Sequence, residues 1–215
     1  MYLVTTPWWL RKVYSPGLTW SISTKRKEIF LTFDDGPHPT ITPFVLECLQ
    51  QHNAKATFFC IGKNVKEYGD VYKRIVEEGH TVGNHTQDHL NGWKTNNVLY
   101  LKNVLLAGKF INSTLFRPPY GRISRLQVQQ LQPSFNIIMW DVLSGDFDTS
   151  LSPVKCLLNV TSNTTAGSII VFHDSEKAFP RLEYALPKAL EFFTGKGFVM
   201  KSLGEMADRA KLTDD

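Results

Sequence analysis

The chain alternates short apolar runs with segments of helical periodicity over most of its length, and this alternation limits the folds open to it. The apolar runs, which we predict to be strands, cover residues 28–33, 56–61, 81–84, 115–116, 135–140, 168–172 and 198–200. Helical patterns cover residues 43–51, 65–78, 98–111, 124–131, 153–160, 182–193 and 203–210. About seven strand–helix units in this order predict a parallel α/β sheet, either a barrel or a doubly wound sheet.

Polar residues follow many of these strands directly. They are Asp34 and Asp35, His85 and His89, Arg117, Asp146, and His173. Because the carboxyl ends of parallel strands meet at one edge of the sheet, the active site of such a fold gathers there. A closed barrel explains how residues so far apart in the sequence converge.

Two adjacent carboxylates end the first strand. Asp34 and Asp35 precede Gly36-Pro37, which shapes a turn in which both side chains can point into one pocket. Taken alone, the pair is equally compatible with an ordinary turn or helix start. Two carboxylates in one pocket can divide their roles, so that one binds a metal ion and the other acts as a base.

Two imidazoles follow a later strand, four residues apart. On a helical turn, the spacing of His85 and His89 places both rings on one face, within reach of a single ion. Exposed or core histidines are the alternative. With one carboxylate, the pair makes a divalent metal site that leaves coordination positions open for water and substrate.

The segment 117–121 (RPPYG) is predicted to be a rigid loop, since its two prolines exclude a regular helix. A rigid turn is a sufficient explanation for Pro118 and Pro119 themselves. For Arg117 we predict an ion pair that orients Asp34 and keeps it ionised. The backbone N–H of Tyr120 is a candidate donor to an oxyanion.

A buried strand ends in His173, where an imidazole is well placed as a general acid. A purely structural histidine is the alternative. Asp146 is a candidate partner that would raise the pKa of His173, and Asp141 and Asp148 are rivals that spacing does not separate from it.

Taken together and in this order, the segments resemble the five motifs of the polysaccharide deacetylases, also called the NodB-homology group or carbohydrate esterase family 4. The segments are 32–37 (TFDDGP), 85–89 (HTQDH), 117–121 (RPPYG), the stretch around Asp146, and the strand end Phe172-His173. The resemblance covers residues 28 to 205 approximately. It implies a distorted (β/α)7 barrel of the NodB-homology type, with the active site at the carboxyl ends of the strands.

The resemblance also implies a role for each matching residue. Asp34 would be the catalytic base and Arg117 its partner, and His173 the catalytic acid tuned by Asp146. Asp35, His85 and His89 would bind the metal, which in the family is usually Zn²⁺, with ions such as Co²⁺ or Ni²⁺ as substitutes.

Two motifs depart from the family pattern. The fourth motif commonly reads D-x-x-D-W, and here Leu143 replaces the first Asp and Phe147 replaces the Trp. We therefore expect the pocket wall near the acetyl group to differ. Val171 stands where the last motif often has Leu, with the same packing role.

The implied activity is metal-dependent hydrolysis of a linear amide, the N-acetyl group of N-acetylglucosamine in peptidoglycan, chitin oligosaccharides or a related glycan, with release of acetate. An O-acetyl xylan esterase of the same fold and a non-catalytic sugar-binding relative are the alternatives. A metal site with two histidines and one carboxylate is also typical of non-haem iron oxygenases, but these need neither the aspartate base nor the histidine acid.

Length and composition set further limits. The 215 residues suit one catalytic domain, which we place at residues 28–210, preceded by an extension at 1–27 packed on the core.

A net charge of +4 with only short basic clusters argues against nucleic-acid binding. No apolar run reaches the roughly 18 residues of a membrane span. The first residues lack the order of an export signal, so we expect a cytoplasmic protein, or an extracytoplasmic one if that signal is missing from this chain. The sequence does not indicate an oligomeric state.

Overall fold

The computed structural model of the chain describes residues 3–14 and 16–204. The strands in this part of the chain are β1 (Leu18–Thr19), β2 (Glu28–Asp34), β3 (Thr57–Cys60), β4 (Thr81–Asn84), β5 (Leu115–Phe116), β6 (Asn136–Ile138), β7 (Val142–Leu143), β8 (Ile169–His173) and β9 (Val199–Lys201). The helices are α1 (Trp8–Val13), α2 (Ile41–Gln51), α3 (Gly62–Glu67), α4 (Gly69–Glu77), α5 (Asn97–Ala107), α6 (Arg125–Leu131), α7 (Pro153–Thr161) and α8 (Phe179–Gly195).

The strands form one sheet in the order β1-β6-β5-β4-β3-β2-β8-β7, with β9 also paired to β2. Every one of these strand pairings is parallel. Most successive strands are joined through a helix, as parallel pairing requires. The predicted α/β fold, a curled parallel sheet of distorted-barrel type, is confirmed. The sheet is a half-barrel and not a closed barrel, because β1 and β7 lie at its two ends and are not paired with each other.

The centre of the core lies around β2. Residues 29–34 of this strand are all buried, since the neighbouring strands and helices cover both of its faces. Phe33 stacks between Phe58 of β3 and Phe172 of β8, at ring-centroid distances of 5.0 and 6.0 Å. This packing holds the carboxyl ends of three strands close together, and these ends carry much of the candidate site.

Several predicted elements differ in detail. The short strands β1 and β7 are absent from the predicted elements. The helix predicted at 65–78 is two helices, α3 and α4, separated by Tyr68, whose φ of −117° and ψ of 51° are not helical. The helix predicted at 182–193 is longer and includes Pro187. The closing helix predicted at 203–210 lies almost entirely outside the described residues.

The amino-terminal segment reaches both edges of the sheet. Thr5 forms an antiparallel bridge with Val142 of β7, at one edge. Further along, β1 pairs with β6 at the other edge. The segment thereby connects the two ends of the open sheet. The boundary between an extension at 1–27 and a catalytic domain at 28–210 remains a prediction.

Among the described residues, no helix combines the length and the apolarity that crossing a membrane requires.

Candidate active site

The two adjacent aspartates lie where β2 ends. Asp34 is the last residue of the strand and is only 4% exposed. Asp35 has a φ of 81°, in the left-handed region that a non-glycine residue rarely adopts. This turn lets both carboxylates line the same cavity, although they would point to opposite faces of an ideal strand.

Backbone strain is concentrated at the site. Five described non-glycine residues have a positive φ, and four of them belong to the candidate motifs; the five are Asp35, Asn53, Thr86, His89 and Tyr120. Each such residue costs on the order of 1–3 kcal/mol and persists only where the surrounding structure enforces it. The concentration of strain therefore marks this region as functional independently of any motif.

Arg117 forms a buried ion pair with Asp34. Its Nη1 atom donates to Asp34 Oδ1 at 2.7 Å and to Thr32 Oγ1 at 2.7 Å. The rest of the guanidinium donates to the carbonyl oxygens of Ile138 and Met139, so every nitrogen of the group has a partner. Because the arginine is entirely buried and held on three sides, it presents a fixed positive charge to Asp34.

The histidine pair lies on an irregular loop after β4, so the prediction of a helical turn is wrong. His85 and His89 converge because Thr86 and His89 adopt φ values of 65° and 56°. Asn103 of α5 supports the loop, since its Oδ1 atom accepts the backbone N–H groups of Gln87 and Asp88 at 2.9 and 3.0 Å.

The structure brings Asp35, His85 and His89 together as a potential metal site. One ligand atom of each lies within 4.8 Å of the others. The Nε2 atoms of His85 and His89 are 3.7 and 3.1 Å from Asp35 Oδ1. This oxygen is buried, yet it makes no hydrogen bond of good geometry with any described group. A buried carboxylate oxygen without a hydrogen bond, facing two imidazole nitrogens, fits the donor set of a divalent metal ion.

The electrostatics of the cluster suit a cation. Burial lowers the pKa of His85 to about 4, which keeps the imidazole neutral at physiological pH. Its Nδ1 atom lies 2.8 Å from the Arg117 carbonyl oxygen and donates to it, which leaves the Nε2 lone pair for a metal. Burial alone would raise the pKa of Asp35, but the contact with His89 and the positive charge of His173 outweigh burial and hold that pKa well below its usual range.

His173, the last residue of β8, pairs with Asp146. Its Nδ1 atom is 2.7 Å from Asp146 Oδ1, and its backbone N–H donates to Asp146 Oδ2 at 2.7 Å. Burial of the imidazole opposes its protonation, but the charge of Asp146 and the hydrogen bond to it outweigh burial. Helped by the charges of Asp35 and Asp34, they raise the pKa of His173 to about 9. The ring therefore holds a proton at neutral pH.

The other two candidate aspartates have different partners. Asp141 accepts hydrogen bonds from Arg11 and from Ser168 Oγ. Asp148 accepts from the hydroxyl and backbone N–H of Ser150. The structure thus places only Asp146, of the three candidates, against His173.

Tyr120 lies in a short 3-10 turn, Pro119–Gly121, with a φ of 60°. Its ring is 60% exposed and packs on His89 at a centroid distance of 4.6 Å. Within the described part of the chain, no acceptor is paired with its backbone N–H. The residue borders the same cavity as the ion pair and the histidine cluster.

One cavity of about 820 Å³ is lined by the two adjacent aspartates, the histidine pair, Tyr120 and His173. Its apolar wall consists of Trp140, Leu143, Phe147 and Val171. The three residues that depart from the family pattern, Leu143, Phe147 and Val171, all lie on this wall. The Phe147 ring packs edge-on against His173 at a centroid distance of 5.3 Å. The cavity rim also carries three exposed cations, Lys94, Arg122 and Lys177.

Sequence reasoning missed three supporting residues. They are Thr32, which orients Arg117; Asn103, which holds the histidine loop; and Asp174, which is buried behind the Asp34-Asp35 turn. Asn103 is a polar residue in a mostly apolar helix, and Asp174 is an acid beside the proposed catalytic histidine. These are weak signals, because each contact joins elements far apart in the sequence.

The fold and the site together define a class of α/β proteins with a polar, metal-competent pocket at the carboxyl ends of parallel strands. Residues 21–133 match the family model described as polysaccharide deacetylase. The chain is 32% identical over 206 residues to a peptidoglycan-N-acetylglucosamine deacetylase of Bacillus cereus, covering 92% of this chain and 97% of the relative.

Two further relatives agree with this match. A chitooligosaccharide deacetylase of Azorhizobium caulinodans is 33% identical over 165 residues, covering 71% of this chain and 76% of the relative. The crystal structure of a peptidoglycan N-acetylglucosamine deacetylase in complex with 4-naphthalen-1-yl-N-oxidanyl-benzamide superposes with a TM-score of 0.85 at 32% identity, covering 94% of this chain and 97% of that one. The chain belongs to the polysaccharide deacetylase family.

Proposed function

We propose that this protein hydrolyses the N-acetyl group of N-acetylglucosamine units in a glycan and releases acetate, using a divalent metal ion held by Asp35, His85 and His89. One observation carries the proposal. A single cavity contains a three-residue metal site, a buried carboxylate paired with arginine, and a histidine paired with aspartate. An amide hydrolase needs these parts: an ion, a base and an acid.

A divalent metal ion, zinc in our proposal, would polarise the acetyl carbonyl and lower the pKa of a bound water. Asp34 takes the proton from the attacking water. Arg117 donates a hydrogen bond to one oxygen of the Asp34 carboxylate and fixes its orientation, so the other oxygen is free to accept that proton.

The remaining steps belong to two other residues. The Tyr120 backbone N–H donates to the oxyanion that forms on the acetyl oxygen. His173, protonated because Asp146 stabilises the imidazolium, passes its proton to the departing sugar amine. The proton that Asp34 takes and the proton that His173 gives balance the hydrolysis, and the products are acetate and a free amine.

The rim of the cavity favours an acidic glycan over a neutral one. Lys94, Arg122 and Lys177 are exposed there, and the only carboxylates among the lining residues are Asp34 and Asp35. Peptidoglycan carries carboxylates on its peptide substituents, and on those lactyl groups that bear no peptide, whereas chitin oligomers carry none. We therefore place peptidoglycan ahead of chitin oligomers as the substrate, and O-acetyl xylan after both.

Acetate release tests the proposal. The protein is stripped with a chelator, and release from peptidoglycan, chitin oligomers and acetylated xylan is measured with and without added Zn²⁺. We expect zinc-dependent release that is fastest with peptidoglycan and absent in Asp34→Asn. Release that survives chelation would refute metal dependence. Release from acetylated xylan alone would replace the amide substrate with an ester. Zinc binding without release from any glycan would indicate the non-catalytic relative.

The cytoplasmic location of the protein remains a prediction, and the proposed substrate bears on it. Peptidoglycan deacetylation on assembled cell wall requires the protein outside the membrane. Immunodetection of the native protein in fractionated cells decides between the two locations.

A further inference from the structure

Asp174 follows the proposed catalytic acid directly, yet it has no part in the chemistry described so far. It is only 1% exposed and does not line the active-site cavity. A buried carboxyl group is unfavourable unless its contacts compensate for lost hydration. Its contacts therefore indicate why the residue is there.

The contacts of Asp174 all lead to the turn that follows β2. Its backbone N–H donates to the Asp34 carbonyl oxygen at 3.1 Å. Its Oδ2 atom accepts a hydrogen bond from the Thr42 hydroxyl, and that hydroxyl accepts the backbone N–H of His38 at 2.8 Å. Asp174 thus connects the end of β2 to the first turn of α2.

The carboxyl group also packs directly against Gly36. A Cβ atom at Gly36 would lie 2.1 Å from Asp174 Oδ2 and 2.6 Å from Oδ1, far inside any real contact. The residue next to Asp35 is therefore a glycine because the Asp174 carboxyl group occupies the space of a side chain.

We propose that Asp174 is a positioning residue that clamps the Asp34-Asp35-Gly36 turn, so that Asp34 faces Arg117 while Asp35 faces the two histidines. Asp35 keeps its φ of 81° only if its surroundings enforce it, and Asp174 contacts the residues on both sides of Asp35. Its effect on metal affinity is independent of the proposed reaction, and its effect on turnover depends on that reaction.

The decisive measurement is zinc affinity of Asp174→Ala, by competition with a chromogenic chelator. We expect affinity to fall about 10- to 100-fold, the usual effect of losing a group that orients a metal ligand. In acetate release, kcat falls while KM is unchanged, because Asp174 does not touch the cavity. Asp174→Asn keeps the size of the side chain and an oxygen for the Thr42 hydroxyl, so both values stay within about threefold of the wild type.

Asp141→Ala is the matched control. Asp141 is a partly buried aspartate that accepts hydrogen bonds from Arg11 and Ser168, away from the β2 turn. We expect this variant to lower the unfolding temperature without changing zinc affinity. Thr42→Val tests the clamp from its other end, and a smaller loss of affinity in the same direction is expected.

The proposed role of Asp174 would be refuted if a folded Asp174→Ala variant kept the zinc affinity and kcat of the wild type. If that variant does not fold, unchanged affinity in Thr42→Val overturns it instead. Reduced zinc affinity in Asp174→Ala, with no acetate release from the wild type on any glycan, would support the clamp and refute the proposed function. The two failures are thus distinguishable.

Discussion

The residues that we propose as the base and the acid are each held by a buried partner of opposite charge. Asp34 is a carboxylate fixed by a buried cation, Arg117, whereas His173 is an imidazole fixed by a buried anion, Asp146. In both pairs the contact is 2.7 Å and the partner is completely buried. Each partner carries a charge opposite to that of the group it holds, and the charge of Asp146 raises the pKa of His173 to about 9, so the imidazole stays protonated at neutral pH. In the proposed reaction, the first pair accepts a proton and the second donates one.

The pairs differ in how their partners are anchored. Arg117 is held by a hydroxyl and two carbonyl groups besides Asp34, and its guanidinium lies 4.1 Å from the Phe59 ring centroid. Asp146 directs both carboxylate oxygens at His173 alone. We therefore expect substitution of Arg117 to destabilise the surrounding core. Substitution of Asp146 should mainly change the pKa of His173.

The largest expected effect is that of Asp34→Asn. The amide keeps the shape of the side chain but cannot accept the water proton, so kcat should fall about 10²- to 10⁴-fold, the range for losing a general base. Acetate release measures the fall, and zinc binding by the same variant is the control. Loss of zinc binding would instead make Asp34 a metal ligand.

Arg117→Lys comes next. A single ammonium cannot replace a guanidinium that bonds to Asp34, Thr32 and two carbonyl groups. We expect the free energy of unfolding to fall by about 3–5 kcal/mol, as for other broken buried pairs, with kcat reduced as well. Denaturant unfolding measures the first effect.

Arg122→Lys is the matched control for that substitution, since Arg122 is exposed and stacks over Trp93 at 4.1 Å. We expect it to change unfolding by no more than about 0.5 kcal/mol. Equal effects of the two substitutions would contradict the anchoring role of Arg117.

Asp146→Asn should move a pKa. The wild-type His173 has a pKa of about 9, so activity should fall as the pH rises above this value. Without the carboxylate, the pKa should return toward its ordinary value of about 6.5. The falling limb of the kcat profile should then shift to lower pH, with a loss of about tenfold or more at pH 8 and a smaller loss below pH 6. An unshifted limb would mean that another group is the acid.

The same pair should make stability depend on pH. Because the folded-state pKa of His173 is raised, the stabilisation it contributes is complete below the unfolded value of about 6.5 and is lost as the pH rises through about 9. The difference in unfolding free energy between the wild type and Asp146→Asn should shrink across this window. Denaturant unfolding at pH 6, 8 and 10 measures this difference. A difference that grows with pH would contradict a raised pKa of His173 in the folded state.

The smallest effect is expected for Tyr120→Phe. The proposed donor is the backbone N–H, which this change leaves in place, and the ring still packs on His89. We expect kcat to stay within about threefold of the wild type, because no backbone hydrogen bond to the oxyanion is lost. A loss of 100-fold would assign the role to the phenol hydroxyl.

Local patterns in the sequence were sufficient for the alternation of strands and helices and for the candidate side chains. Strand β2 reads as a continuous apolar run because both of its faces are buried, and Asp34 and Asp35 follow it immediately. The topology rule for parallel sheets then places such residues at one edge without any coordinates. The resemblance to a family added a role for each.

The contacts between residues far apart in the sequence were visible only in the tertiary structure. It showed that His85 and His89 converge on a strained loop supported by Asn103, not on a helix. It showed that Asp146, and not Asp141 or Asp148, contacts His173, and that Asp174 fills the space beside Gly36. Residue spacing along the chain shows the periodicity of helices and strands and the order of the motifs. The contacting residues named here are 16 to 138 positions apart, so only the packing of the folded chain brings them together.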